Sequence, residues 1–448
     1  MFRSISEMSF ALRDKLVGFR RDFHRYAELG QLEMRTSSLI ARRLSELGYR
    51  VLVGDDVGMP GIAMPVPEVL DAALQNARVT GGDLEYLEQV RNGLTGVIGI
   101  LECGDGSVTA LRFDIDALGI NEDSSEQHRP TREGFASIYP GVMHACGHDG
   151  HAAIGLGVAE VLIGIKDSLH GTVRLIFQPA EESLRGARAI VEKGHLDDVQ
   201  FLLAGHISKR LPGESCDIIA GCGGSLAAVH IDVTFRGRAA HAAAAPEKGA
   251  NSLLAAAGTV QQLYGISRSS VGDTRVNVGT LHAGTARNVI ADHACMEIEV
   301  RGKNDEVCSY METQAHRIIH CSAEMHGVSA EIKTMGSCDA LESDPALMEQ
   351  VAAACGKLQG VSVHPQLRRE VGGSEDFSCM MRRVREHGGQ ATMLRFLTDI
   401  TDVVHGSGFD FDDADILPKA VAAMSAVLYD IHGSHQRLGK CYRNILIF

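Results

Sequence analysis

The run Val173-Arg-Leu-Ile-Phe177 is apolar at every position but one. A strand without polar alternation is covered on both faces, so its sheet needs helices above and below. The surrounding pattern supplies them. Apolar residues recur at three and four over residues 7–49 (Leu12, Leu16, Phe19, Phe23, then Leu39, Ile40, Leu44, Leu47), which predicts helix. A strand at 51–53, helices at 69–78 and 84–91, and strands at 96–101 and 108–113 follow. Helices are expected at 151–165 and 187–193, with a second short buried strand at 201–204. Strands alternating with helices at this spacing give an α/β sheet flanked by helices.

Near residue 225 the periodicity changes. Val229, Ile231, Val233 and Phe235 alternate with polar residues, the pattern of a half-buried strand. Helix 251–262, strands 276–281 and 295–301, helix 306–326 and strand 329–334 complete a strand-helix-strand-strand-helix-strand order. The expected organisation is a catalytic domain from 1–224 and 337–448, interrupted by an α+β ferredoxin-like domain at 225–336. A length of 448 residues also suits two or three domains. A helix at 345–358 and a strand at 391–396 are read in the last part. No element is assigned between 397 and 431, and the basic, then apolar tail from 432 is assigned no role.

Composition narrows the partners. With 43 basic against 57 acidic residues the net charge is −14, which argues against nucleic acid. The eleven cysteines show no regular spacing, so the expected compartment is a reducing cytoplasm. No secretory leader is read at the N-terminus, and no run approaches 18 apolar residues, so no membrane partner is expected.

The densest chemistry is His144-Ala-Cys-Gly-His-Asp-Gly-His151, which holds imidazole, thiolate and carboxylate within eight residues. These are the ligand types that zinc-like ions prefer. No Cys-x-x-Cys exists to close a structural site, so further ligands must come from distant segments. Glu181 and Glu182 after the strand 171–177, His206 after the strand 201–204, and His405 are the candidates, each placed where open α/β sheets form sites. Taken alone, the adjacent carboxylates better suit a helix N-terminus, and a single histidine is more often structural than a ligand. Together, Cys146, His148, Glu182, His206 and His405 are too many for one tetrahedral ion and suit two.

The cluster at 144–151, Phe177-Gln-Pro-Ala-Glu-Glu182 and Arg112-Phe-Asp-Ile-Asp-Ala-Leu118 resemble the signatures of the co-catalytic metallo-amidohydrolases. That zinc-exopeptidase-like family includes aminoacylases, hippurate hydrolases, indole-acetyl-amino-acid hydrolases and related carboxypeptidases. The segments 20–30, 237–242, 287–290 and 373–377 agree in order, so the resemblance spans about residues 10 to 430. It implies metal ligation by Cys146, His148, Glu182, His206 and His405, and Glu181 as general base. It implies Asp114 as a carboxylate orienting a ligand, and His241 reaching a partner subunit's site to polarise the scissile carbonyl. Asn288, with Arg301 or Arg287, would hold the substrate's free carboxylate.

The implied cofactors are two divalent ions per subunit, zinc or manganese. The implied substrate is a small N-acyl amino acid. The inserted domain would mediate a homodimer, and a homologous second subunit is a further implied partner. The insertion at 55–93 and Ala27 in place of the usual proline resemble members acting on aryl- or acyl-glutamate and -aspartate conjugates such as p-aminobenzoyl-glutamate. Indole-acetyl-aspartate is the alternative substrate. A dipeptidase or carboxypeptidase would use the same site, and a non-catalytic binding subunit would keep only the fold.

Overall fold

The computed structural model describes residues 1–61 and 64–433. Its strands are β1 (Arg50–Val53), β2 (Val97–Glu102), β3 (Val108–Asp114), β4 (Thr172–Gln178), β5 (Phe201–Lys209), β6 (Ile218–Ile219), β7 (Gly221–Gly223), β8 (Ala227–Arg236), β9 (Thr274–Ala283), β10 (His293–Gly302), β11 (Ser329–Cys338), β12 (Arg368–Glu370) and β13 (Gln390–Thr398). Seven form the main sheet in the order β1-β2-β4-β3-β5-β13-β6, of which β4, β3, β5 and β13 are parallel.

The apolar run that predicts a two-sided cover has one. Val173, Leu175, Phe177, Leu111 and Leu203 face one core, with helices Arg13–Arg25, His148–Gly164 and Asp413–His432. Ile176, Ile98, Ala110 and Leu202 face the other, with helices Gly186–Glu192 and Phe377–Glu386. The polar exception, Arg174, directs its guanidinium to Asp198 at 2.8 Å and the His195 carbonyl at 2.7 Å. Helix His148–Gly164 packs closely enough on the sheet that a Cβ at Gly155 would come within 2.6 Å of Phe177.

β8 to β11 form a separate antiparallel sheet, ordered β11-β8-β10-β9, with helices Ser252–Tyr264 and Asp305–Met325. This is the ferredoxin-like order, and the unit has its own core around Ile231, Phe235, Met296 and Ile319.

Three expectations need correction. The stretch 7–49 is not one continuous pattern: helices Phe2–Ala11, Arg13–Arg25 and Met34–Glu46 are interrupted at 26–33. β5 does not stop at Ala204 but runs to Lys209, paired along its length with β13, so His206 is a strand residue. The unassigned region holds the 20-residue helix Asp413–His432, whose pattern is obscured because it is buried on nearly every face and contains Pro418. The tail read from 432 lies outside the described residues after Gly433.

Candidate metal centre

The parallel strands end on one side of the sheet, and the sequence-predicted ligands gather there. Gly147, with φ of +91°, turns the chain between Cys146 and His148, and His148 opens helix His148–Gly164. A left-handed residue suits glycine and lets the thiol and the imidazole share a side. Glu181 and Glu182 follow β4 in a turn where Ala180 and Leu184 both have positive φ, +53° and +56°. His405 is itself left-handed, with φ of +67°, and its amide donates to the Ala145 carbonyl at 2.9 Å, docking its loop on the cluster. Non-glycine residues held this way are strained and are often found at functional sites.

Two triads of ligand atoms share the Cys146 thiol. Cys146, His148 and His206 lie within 4.8 Å of one another, and so do Cys146, Glu182 and His405. Cys146 Sγ is 3.5 Å from His206 Nε2, and His405 Nε2 is 3.4 Å from a Glu182 oxygen. Glu181 stands alongside, 4.0 Å from His148 Nε2, and also converges with Glu375 and Asp376.

The donor set fits divalent metal. His148 Nδ1 is engaged by the Asp116 carbonyl and carboxylate at 3.1 and 3.2 Å, and His206 Nδ1 donates to the Ile207 carbonyl at 2.6 Å. Both rings thus turn Nε2 toward the cluster, the arrangement that fixes a ligating tautomer. His148 Nε2 and one Glu182 oxygen are buried with no hydrogen-bond partner among the described residues. Buried polar atoms without partners are costly, and a cation answers both.

The electrostatics agree with a crowded anionic site. Burial pushes the Glu181 carboxyl well above its usual range, and the neighbouring Glu375, Asp376 and Glu182 push it further. Burial opposes a charge on His148, but Asp114 and Cys146 more than offset it and its pKa rises. Burial, with Arg395 nearby, lowers that of His206. Hydrogen bonds to Cys146 and Glu182 raise that of His405 to about 10.

The remaining members of 144–151 do other work. The Ile207 amide donates to His151 Nε2 at 2.9 Å, so His151 Nδ1 carries the proton it gives to Asp114 and neither nitrogen is free. Asp149 binds Arg20 and His24. His144 is buried, and that burial lowers its pKa to about 4.

Asp114 makes no hydrogen bond to a sequence-predicted ligand among the described residues, although one of its oxygens lies 3.7 Å from His148 Nε2. It pairs with Arg112 and His151, whereas Asp116 holds His148 and accepts the Glu182 amide at 3.0 Å. The two aspartates are two residues apart on an extended segment and face the same way, so spacing does not choose between them. Arg112 is a further residue to which sequence reading assigns no role. It is buried and bonds Asp114, Gln178, Glu375 and Asp376, gathering the motifs at 112–118, 177–182 and 373–377.

The cluster opens into a cleft of about 620 Å³ whose opposite wall is the small sheet, through His230, Glu299 and Arg301. Arg301 bonds Glu299 at 2.7 Å and Ser374 at 3.2 Å. His241 and Asn288 are neighbours of each other, since the Ala242 amide donates to the Asn288 carbonyl at 3.0 Å. Both are exposed, and neither lines the cleft of its own chain. A second cavity of about 480 Å³, between residues 57–61, helix Gly186–Glu192 and β11, contains none of the candidate ligands.

Residues 110–430 match the sequence profile of Peptidase family M20/M25/M40. The chain belongs to this family. It is 40% identical to an indole-3-acetyl-aspartic acid hydrolase of Enterobacter agglomerans over 94% of this chain and 97% of that protein. It is also 40% identical to one of the subunits of p-aminobenzoyl-glutamate hydrolase from Escherichia coli, with the same shares covered. Among solved structures, an aminobenzoyl-glutamate utilization protein from Klebsiella pneumoniae superposes with a TM-score of 0.80 at 35% identity, covering 94% of this chain and 98% of that one. A dinuclear metal binding peptidase of the M20 family from Bacillus subtilis gives 0.63 at 26% identity, covering 93% and 98%. As a member, the chain is a metal-binding hydrolase of linear amides.

Proposed function

We propose that the protein hydrolyses the amide bond of an N-acyl acidic amino acid, an aryl- or acyl-glutamate or -aspartate conjugate such as p-aminobenzoyl-glutamate. The observation that carries this reading is the convergence of Cys146, His148, Glu182, His206 and His405 around partnerless buried donor atoms, with Glu181 beside them. Those five side chains would hold two divalent ions, zinc or manganese. Bound there, the ions would supply Lewis acidity to a water and to the scissile carbonyl.

Glu181 takes a proton from the attacking water and returns it to the departing amine, a role suited to a carboxyl whose proton affinity is raised by its surroundings. Asp116 and the Ile207 carbonyl keep the two imidazoles in register. Asp114 with Arg112 fixes His151 and the base of the cluster.

In this reading 1–224 and 337–448 form the catalytic domain, and 225–336 is an inserted dimerisation and lid domain. Its edge strand β9 has one unpaired side, and Leu254, Tyr264, Leu281 and Val289 are exposed nearby. Pairing through that edge buries them and carries His241 and Asn288 toward the partner's cleft, where His241 polarises the carbonyl and Asn288 with Arg301 meets the substrate's free carboxylate. One relative is named as one of the subunits of its hydrolase, so a homologous second subunit is a further candidate partner. The ten described cysteines are unpaired, which supports a cytoplasmic location. No described helix is long and apolar enough to cross a membrane.

The test is a substrate panel on purified chain reconstituted with zinc or manganese. It compares p-aminobenzoyl-glutamate, indole-acetyl-aspartate and unacylated dipeptides, with and without chelator. Chelator-sensitive release of glutamate or aspartate is expected. Cleavage of dipeptides alone would replace this reading with a peptidase.

A further inference from the structure

The cleft is lined by five glutamates, and two of its three arginines are already paired. Glu181, Glu182, Glu299, Glu370 and Glu375 line it. Arg301 is bound to Glu299 at 2.7 Å and Arg369 to Glu214. Lys209 is exposed at the strand end. Lys209 also has no carboxylate partner among the described residues but stands in solvent, whereas Arg395 is half-buried. Its Nε is buried with no acceptor, and no carboxylate pairs with it among the described residues. Its position is fixed by the sheet, because Arg395 on β13 is the register partner of His206 on β5. Registered neighbours on adjacent parallel strands project to the same face, and both residues line the cleft.

An unneutralised guanidinium on the floor of an acidic cleft is a binding site for an anion, and its planar fork matches a carboxylate. In the functional reading the free α-carboxylate lies against the opposite wall, at Arg301, with Asn288 brought in by pairing of two chains. An acyl-glutamate or -aspartate carries a second carboxylate a few bonds from the scissile nitrogen, which must lie close to the candidate metal ligands. The two ions of that reading would serve the water and the scissile carbonyl, which leaves the second carboxylate to a cation of its own. We propose that Arg395 pairs with the side-chain carboxylate of the leaving amino acid and so selects acidic over neutral conjugates. This rests on the amidohydrolase reading.

The experiment compares kcat/KM for p-aminobenzoyl-glutamate with that for p-aminobenzoyl-glutamine, which differs in charge but hardly in shape. Metal-reconstituted wild type, Arg395→Met and Arg395→Lys are assayed, with metal content and melting temperature measured on each. The wild type should favour glutamate at least tenfold. Arg395→Met should lower that ratio tenfold or more, mainly through KM for the glutamate conjugate, and Arg395→Lys should fall between. A wild type without preference, or an Arg395→Met ratio equal to wild type, would overturn the proposal. Should Arg395→Met not fold, an unshifted ratio in Arg395→Lys overturns it equally. If neither is cleaved, indole-acetyl-aspartate and its asparagine analogue are compared in the same way; hydrolysis of none of the four would sink the underlying amidohydrolase reading and this proposal with it, whereas equal hydrolysis of acid and amide sinks this proposal alone.

Discussion

Asp116 braces two candidate ligands with one side chain: one oxygen is 3.2 Å from His148 Nδ1, and the other accepts the Glu182 amide at 3.0 Å. Removing it leaves both donors in place but frees the His148 ring to rotate and the turn at Glu182 to relax. Asp116→Ala should therefore lower metal affinity by about 10–100-fold, the usual cost of losing such a support. A competition titration against a coloured chelator measures this, and an unchanged affinity would refute the role. The same segment marks a limit of sequence reading. The motif at 112–118 singles out the right stretch, yet choosing between Asp114 and Asp116 needs to know which nitrogen of which histidine each one meets.

The helices that carry the cluster are tied together by buried charge. His24, on helix Arg13–Arg25, contacts Asp149 on helix His148–Gly164 at 2.8 Å and Glu122 at 2.9 Å. Burial opposes its protonation, but hydrogen bonds to those two carboxylates outweigh it, and its pKa is raised above 6.5. A folded-state value above the unfolded one stabilises fully below pH 6.5, and that stabilisation is lost as pH rises through the folded value. The melting temperature of the metal-free chain should fall over that interval. His24→Gln should flatten this dependence and cost about 3 kcal/mol, as expected for breaking a buried pair. A pH profile identical to wild type would show that His24 is not the group responsible.

Among the elements, those buried on one side are the most legible in the sequence. β8 alternates, and its periodicity identifies it directly. Helix Asp413–His432 is buried on nearly every face and escapes sequence reading, because periodicity gives little signal when so little of a helix meets water. His206 reads as lying just past a strand rather than within one, since pairing with β13 is what extends β5.

For the whole molecule, the order of motifs along the chain is enough to place the fold and the cluster. The resemblance also implies that His241 serves a partner's site, but nothing in the motif order shows that Asn288 stands beside it, away from the cleft of its own chain. If a partner completes each site, chains carrying Glu181→Gln and chains carrying His241→Ala should each be inactive alone. Mixed after dissociation, they should recover activity, about a quarter of wild type for random pairing in which one of two sites in each hybrid is intact. No recovery after mixing would place His241 outside the shared chemistry.

Joint action of a metal pair and one carboxylate base is best tested by counting metal and turnover on the same sample. Elemental analysis of reconstituted wild type and Glu181→Gln, alongside hydrolysis of p-aminobenzoyl-glutamate, gives both numbers. Two ions per chain are expected in each protein, with turnover reduced by about 10²–10⁴-fold in the variant. Fewer than two ions in wild type, or a Glu181→Gln variant that turns over like wild type, would contradict that joint action.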